Sequence, residues 1–358
     1  MSVLVKGITK AFKPGTNIIS DLTGEFRGGE ISVLLGPSGC GKTTTLRCIA
    51  GLETPTDGEI TIDGRVVYSS RQAVSLPPEK RDIGMVFQSY AIWPHMTVHE
   101  NVMLPLRAHG VPRDRARARV DDTLKLVGLD GLGERNATQL SGGQQQRVAI
   151  ARCLVHHPKV ILLDEPLSNL DASLRISMRG ELRDLQRRID ATMIFVTHDQ
   201  EEAMSIADEI FLFHAGQIEQ HDRPQNLYMK PRTRYVAEFL GKANLIPSKI
   251  RNQGDAAELV SARTGETIAK GRFDTSNWTA DEGIGMVRPE AWRLDAGSSP
   301  SLSGRVGTVT FLGDRIELQV ETPIGAQRVV VLSPRRIAVG DAVTLSVSAE
   351  HVHMIGGT

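Results

Sequence analysis

The stretch Gly36-Pro37-Ser38-Gly39-Cys40-Gly41-Lys42-Thr43 meets the pattern G-x-x-x-x-G-K-[ST] at every fixed position. Ahead of it, Ile31-Ser32-Val33-Leu34-Leu35 is a short, mostly apolar run suited to a buried parallel strand. Behind it, Thr44-Thr45-Leu46-Arg47-Cys48-Ile49-Ala50 reads as a helix. Strand, glycine loop and helix in that order make a phosphate cradle. The glycines let backbone amides converge on an anion, and the helix N-terminus adds unpaired amides and partial positive charge. Lys42 then reaches the β- and γ-phosphates of a nucleotide, and the Thr43 hydroxyl binds Mg²⁺.

Other strands deliver chemistry to the same place. Val160-Ile161-Leu162-Leu163-Asp164-Glu165 is four apolar residues followed by two carboxylates, a buried parallel strand with acids at its C-terminal edge, where open α/β sheets bind ligands. There Asp164 can hold Mg²⁺ and Glu165 can take a proton from an attacking water. Thr192-Met193-Ile194-Phe195-Val196-Thr197 is a further strand, and it ends on His198, placed for a hydrogen bond to the γ-phosphate. Arg81 to Gln88 contains another strand, which ends on the polar Gln88. Ser141-Gly142-Gly143-Gln144 opens a helix that Pro158 stops; Ser141 is a natural N-cap and the glycines expose the first amides, a second anion-binding helix terminus. Phe12, near the turn signal Lys13-Pro14-Gly15, is placed either to stack on a base or to fill the core, and spacing does not decide between them.

Composition sets the bounds. A chain of 358 residues predicts two or three domains. Lys plus Arg and Asp plus Glu both number 42, which disfavours a strongly basic nucleic-acid binder. No stretch approaches 18 consecutive apolar residues, and Met1 to Lys6 lacks the layout of a signal peptide, so the cytoplasm is the expected compartment. Cys40, Cys48 and Cys153 form no C-x-x-C pair and are expected reduced, with Cys40 a passive loop residue. Arg113, Arg115, Arg117 and Arg119 alternate with Asp114 and precede Asp121 and Asp122, a solvated helix face. A helical insert of about residues 89–158 separates Gln88 from the carboxylate strand. Near Gly241 the pattern changes from alternating strands and helices to short alternating runs such as Ile316 to Val320 and Val343 to Val347, which predicts a separate all-β, barrel-like domain. His351 and His353 read as surface histidines of that domain.

Taken together these residues resemble the ATPase subunit of ATP-binding-cassette transporters. Gly36 to Thr43 reads as the Walker A loop, Ile161 to Asp164 with Glu165 as Walker B and its catalytic glutamate, and Leu140 to Gln144 as the family signature. Gln88 falls at the Q-loop, Asp171 at the D-loop and His198 at the switch histidine, and order and spacing agree across residues 1 to about 240. The resemblance implies an α/β P-loop NTPase over residues 1–240, followed by a small OB-like barrel over 241–358. Met286 to Glu290 and Val309 to Gly313 there look like the TOBE region of bacterial importer ATPases.

It also implies the site. ATP would lie on Gly36, Pro37, Ser38, Gly39, Cys40, Gly41, Lys42, Thr43 and Thr44, with Phe12 on the adenine and Gln88 and Asp171 nearby; Mg²⁺ would fall to Thr43, Gln88 and Asp164. Catalysis would rest on Glu165, His198 and Lys42. In a head-to-tail homodimer, Ser141, Gly143 and Gln144 of one copy would close over the ATP of the other. The implied partners are two membrane permease subunits and, indirectly, an extracytoplasmic solute-binding protein, with the chain at the cytoplasmic face of the membrane. Tyr90 to Met96, with Trp93 where sugar importers tend to carry Tyr or Phe, is more like iron(III), polyamine or phosphonate importers. The contrasting expectation is a soluble ATPase of the same family acting on nucleic acid or ribosomes, which zero net charge and 4% aromatic residues disfavour.

Overall fold

A computed structural model describes residues 1–253, 256–274, 278, 282–295, 297, 300–332 and 336–356. The chain forms two compact units, Met1–Pro224 and Gln225–Thr358. The first begins with β1 (Val3–Lys13), β2 (Thr16–Phe26), β3 (Ile31–Leu35) and α1 (Lys42–Ala50). Next come β4 (Asp57–Ile62), β5 (Arg65–Ser69), β6 (Val74–Ser75) and β7 (Ile83–Val86). Three helices follow: α2 (Val98–Ala108), α3 (Arg113–Leu126) and α4 (Gly142–Leu154). The unit finishes with β8 (Val160–Asp164), α5 (Ala172–Ile189), β9 (Thr192–Thr197), α6 (Gln200–Ile206), β10 (Glu209–His214) and β11 (Gln217–Asp222).

Every residue of β3, β8 and β9 is buried, as their continuous apolar runs require. They sit inside a six-stranded sheet of order β11-β10-β3-β9-β8-β7, in which all pairs but β10–β11 are parallel. A second, antiparallel sheet runs β2-β1-β4-β5-β6. One apolar core joins the two: Val5, Ile8 and Ile60 from the antiparallel sheet, Leu162 and Val196 from the parallel one, and Leu46 and Ile49 from α1 between them. The far end of α1 is held by the buried Arg81, which donates to Cys48 O at 2.8 Å and Ile49 O at 2.9 Å. A cation on those unpaired carbonyls complements the helix dipole.

The helical stretch forms a cluster of its own around Val102, Leu106, Val120, Leu124, Val148 and Ala151. Thr97 and Glu100 cap α2 reciprocally. The arginines of α3 are exposed, while Ala116, Val120, Thr123 and Leu124 face inward.

The second unit contains α7 (Pro224–Met229), which starts at the last residue of the first unit, and α8 (Arg234–Phe239). Its strands are β12 (Asn244–Gln253), β13 (Ala256–Ser261), β14 (Thr267–Gly271), β15 (Glu282–Val287), β16 (Arg293–Leu294), β17 (Leu302–Phe311), β18 (Ile316–Thr322), β19 (Gly325–Val331), β20 (Ala342–Ser346) and β21 (Val352–Gly356). They form two five-stranded sheets, β14-β13-β12-β15-β21 and β16-β20-β17-β18-β19. Both contribute to one core, with Leu259, Val287 and Met354 from the first and Val306, Val320 and Leu345 from the second, so the domain is a β-rich, OB-like fold.

The division falls earlier than the change of pattern near Gly241, and Arg288 shows why. Its buried guanidinium donates to Tyr228 O at 2.7 Å, Ala237 O at 3.0 Å and Lys242 O at 3.2 Å, and stacks 3.9 Å from the Tyr228 ring centroid. That binds the helical segment 225–242 to the β-strands that follow. His353 corrects a second expectation: it is 9% exposed, with Nε2 donating to Pro231 O at 2.9 Å. Both faces of β21 are covered, and Pro231, between α7 and α8, lies on the side of His353.

Among the described residues no helix is long and apolar enough to cross a membrane.

Burial lowers the basicity of His353, and its bond to Pro231 only partly opposes this. The unfolded chain therefore binds the proton more readily. Stability from this group is present above about pH 6.5, the ordinary histidine value, and is lost as pH falls toward the folded-state value. Calorimetry of the full chain should show the midpoint falling between pH 7.5 and 5.5, and His353→Gln should reduce that slope.

Candidate functional site

Because β3, β7, β8 and β9 are parallel neighbours in one sheet, the residues after each strand emerge at one edge. Those residues are Gly36 to Gly41, Gln88, Glu165 and His198. Gly36 has φ +155, and a Cβ there would stand 2.5 Å from Phe213 O and 2.9 Å from Cys40 Sγ, so a side chain cannot be accommodated. Gly41, also at positive φ, caps α1 without a side chain and leaves the amides of Lys42, Thr43 and Thr44 at the helix start. Pro37, Ser38 and Gly39 form the outer turn of this loop.

Lys42 is 5% exposed and folds back over the loop, with Nζ 2.8 Å from Gly36 O, 2.8 Å from Pro37 O and 3.6 Å from Cys40 Sγ. Among the described residues no carboxylate forms an ion pair with it. A buried ammonium so placed suits an anion in the cradle.

Thr43 Oγ1 donates to Asp164 Oδ1 at 2.9 Å. Burial pushes the Asp164 carboxyl above the usual range, and the Thr43 bond opposes that shift. Two hard oxygen donors beside an anion cradle fit a divalent cation that takes its remaining ligands from phosphate and water. Among the described residues no cluster of three His, Cys, Asp or Glu side chains forms a self-sufficient metal site.

Glu165 occupies the left-handed region at φ +45, and its amide is held by Val196 O at 3.1 Å. A non-glycine residue in this conformation costs about 1 kcal/mol or more, which the neighbouring strand offsets. The carboxylate is gripped at both oxygens: His198 Nδ1 lies 3.1 Å from Oε1, and Gln88 Nε2 donates to Oε2 at 3.2 Å. Asn169 Nδ2 donates to Gln88 O at 2.9 Å and fixes that residue in turn. Asn169 was not among the candidates from sequence. Its role depends on a contact across 81 positions, which no local pattern signals. Arg47, Phe87, Gln88, Asp164 and Asn169 line an open cleft of about 530 Å³ beside this group.

The remaining candidates lie around this centre. Asp171 caps α5, accepting Leu174 N at 3.0 Å. Phe12, near the end of β1, is 58% exposed with Lys10 Nζ 4.7 Å from its ring centroid, so it is not a core residue. Ser141 caps α4 as expected: its hydroxyl accepts Gln144 N at 3.4 Å, and Gln144 Oε1 accepts Ser141 N at 3.1 Å. Those bonds stay within the cap. Gly143 lies against Leu174, where a Cβ would come within 2.9 Å of a Leu174 methyl, so the start of α4 is packed on the start of α5.

Residues 19–168 match the ABC transporter family model. The chain is 44% identical over 324 residues to the Fe(3+) ions import ATP-binding protein FbpC of Agrobacterium fabrum, covering 90% of this chain and 89% of that one. This chain belongs to the ABC transporter family. It is an ATP-binding cassette with ATPase activity, and residues 285–355 match the TOBE domain model. The chain is also 45% identical over 316 residues to the spermidine/putrescine import ATP-binding protein PotA of Legionella pneumophila, covering 87% of this chain and 84% of that one. A dimeric post-hydrolysis structure of an ATP-binding cassette bound to ADP and Pi is similar with a TM-score of 0.53 and 33% identity, over 62% of this chain and 98% of that one. ATP is therefore the anion for which the cradle is built.

Burial pushes the thiols of Cys48 and Cys153 up to about 12. Neither should react with a thiol reagent at pH 8 in the native protein, and both should react after denaturation, as counted by mass spectrometry.

Proposed function

We propose that this chain is the ATP-hydrolysing subunit of a bacterial importer for a small cationic solute, iron(III) or a polyamine, acting as a homodimer at the cytoplasmic face of the membrane. The observation that carries the reading is the Gln88–Glu165–His198 group standing beside the Lys42 cradle. Relatives named for Fe(3+) and spermidine/putrescine import support the solute class.

Lys42 and the α1 amides bind the β- and γ-phosphates, and Thr43, Asp164 and Gln88 hold Mg²⁺. That ion offsets negative charge on the phosphate oxygens when bound. Glu165 accepts the proton of the attacking water, its carboxylate aimed by the left-handed backbone and by Gln88. With Nδ1–H donated to Glu165 Oε1, His198 has Nε2 available to meet the γ-phosphate. Phe12 supplies an exposed aromatic face for the adenine. Ser141, Gly143 and Gln144 serve the ATP held by a second copy, with Asp171 at the same junction. A cassette that turns over only when two copies meet ties hydrolysis to assembly.

Coupling to the permease is assigned to the segment after Gln88. Buried Asn101 accepts Trp93 N at 2.9 Å and donates to Trp93 O at 3.1 Å, while Arg152 NH2 donates to Tyr90 O at 2.7 Å. The loop is thus braced from behind and presents Trp93, 48% exposed, outward. An aromatic on a rigid loop is suited to docking against another protein. The permease subunits and an extracytoplasmic solute-binding protein complete the system.

Glu165→Gln should lower kcat about a hundredfold or more while ATP binding persists, and ATP should then drive a stable dimer in size-exclusion chromatography. Turnover at the wild-type rate would remove Glu165 from the base role. Lys42→Ala should abolish hydrolysis. Tagged protein purified from gently solubilised membranes should bring two membrane-spanning subunits with it; recovery with ribosomes or nucleic acid alone would overturn the importer reading.

A further inference from the structure

Among the described residues the His198 ring makes one hydrogen bond, to Glu165, so its placement depends on the backbone that carries it. Thr197 Oγ1 donates to the buried Glu202 carboxylate and accepts Asp199 N at 3.0 Å. Asp199 Oδ1 accepts Glu202 N at 2.9 Å, which caps α6. The other Asp199 oxygen turns to α5, where it lies 3.6 Å from Arg179 NH2 and 3.8 Å from Arg175 NH1.

Arg175, Arg179 and Arg183 are spaced by four on α5 and share one face. Arg183 grips the far end of α6, donating to Ile206 O at 3.0 Å and to Asp208 Oδ2 at 2.7 Å. Arg175 is set apart by what its two attachments join: its Nε also donates to Leu170 O at 2.9 Å, the carbonyl just before Asp171. One planar guanidinium therefore spans the turn at Asp171 and the turn at His198. A lysine at this position has a single ammonium and cannot hold both in the same geometry.

We propose that Arg175 is a positioning residue for hydrolysis, tying the Asp171 turn to the Asp199 turn so that the setting of His198 against Glu165 follows the setting of Asp171. The inference rests on the function proposed above. With it, the approach of a second copy at Asp171 governs whether His198 is in place, through a link inside one chain.

The test uses full-length wild-type protein, Arg175→Lys, Asp199→Asn and the double variant. In nucleotide-free protein, hydrogen exchange of the amides of 198–203 and of 171–175 should rise together, roughly tenfold, in Arg175→Lys. ATP turnover should show kcat lowered roughly tenfold with KM within about twofold in each single variant, and the double variant should be no worse than the poorer single one. Unchanged exchange at 198–203, losses that multiply in the double variant, or a KM that rises in step with the fall in kcat would each overturn the link. A wild-type protein that does not hydrolyse ATP would instead overturn the function reading, and the exchange pattern would still decide whether the two turns are coupled.

Discussion

Parallel strand pairing is the constraint on which the site depends. With β3 hydrogen-bonded to β9, β9 to β8 and β8 to β7, all in one direction, whatever follows each strand must emerge at one edge. Residues far apart in sequence, Lys42, Gln88, Glu165 and His198, become neighbours through backbone hydrogen bonding alone. The side chains then need only short reaches, of 2.9 to 3.2 Å, to close the Thr43–Asp164, Glu165–His198 and Gln88–Glu165 contacts.

The rest of the first unit holds that edge rigid. The helix of the phosphate loop lies between two sheets, its apolar face shared by both, and Arg81 satisfies its last carbonyls. A loop anchored by so well-buried a helix keeps its amides preorganised for phosphate, so ordering them costs little when the nucleotide binds. By contrast, Gln88, Asn169, Asp171 and His198 are exposed and held by one or two bonds each. Under the proposed function, a rigid phosphate cradle beside lightly held polar groups is the division of labour a switching ATPase requires.

The second unit solves a different problem. Its sheets must accept a short helical segment of mixed polarity, and buried Arg288 does this by donating to the carbonyls at the ends of both α7 and α8. His353 adds a bond from the strand side. These are polar contacts between backbone and isolated side chains, a class that leaves no periodic trace in sequence.

The sequence by itself determined the cassette. The glycine spacing of residues 36–43, the apolar runs ending in Asp164, Glu165 and His198, and the cap at Ser141 are local patterns with local causes, and each became the element it predicts. Alternating apolar positions also announced the β-rich domain. Tertiary structure alone decided which polar side chains brace these elements. Asn169 holding Gln88, Arg175 joining Leu170 to Asp199, and the burial of His353 beneath Pro231 are long-range hydrogen bonds and ion contacts. Their partners are chosen by three-dimensional proximity, and a side chain's spacing along the chain carries no information about a donor or acceptor that folding brings from elsewhere.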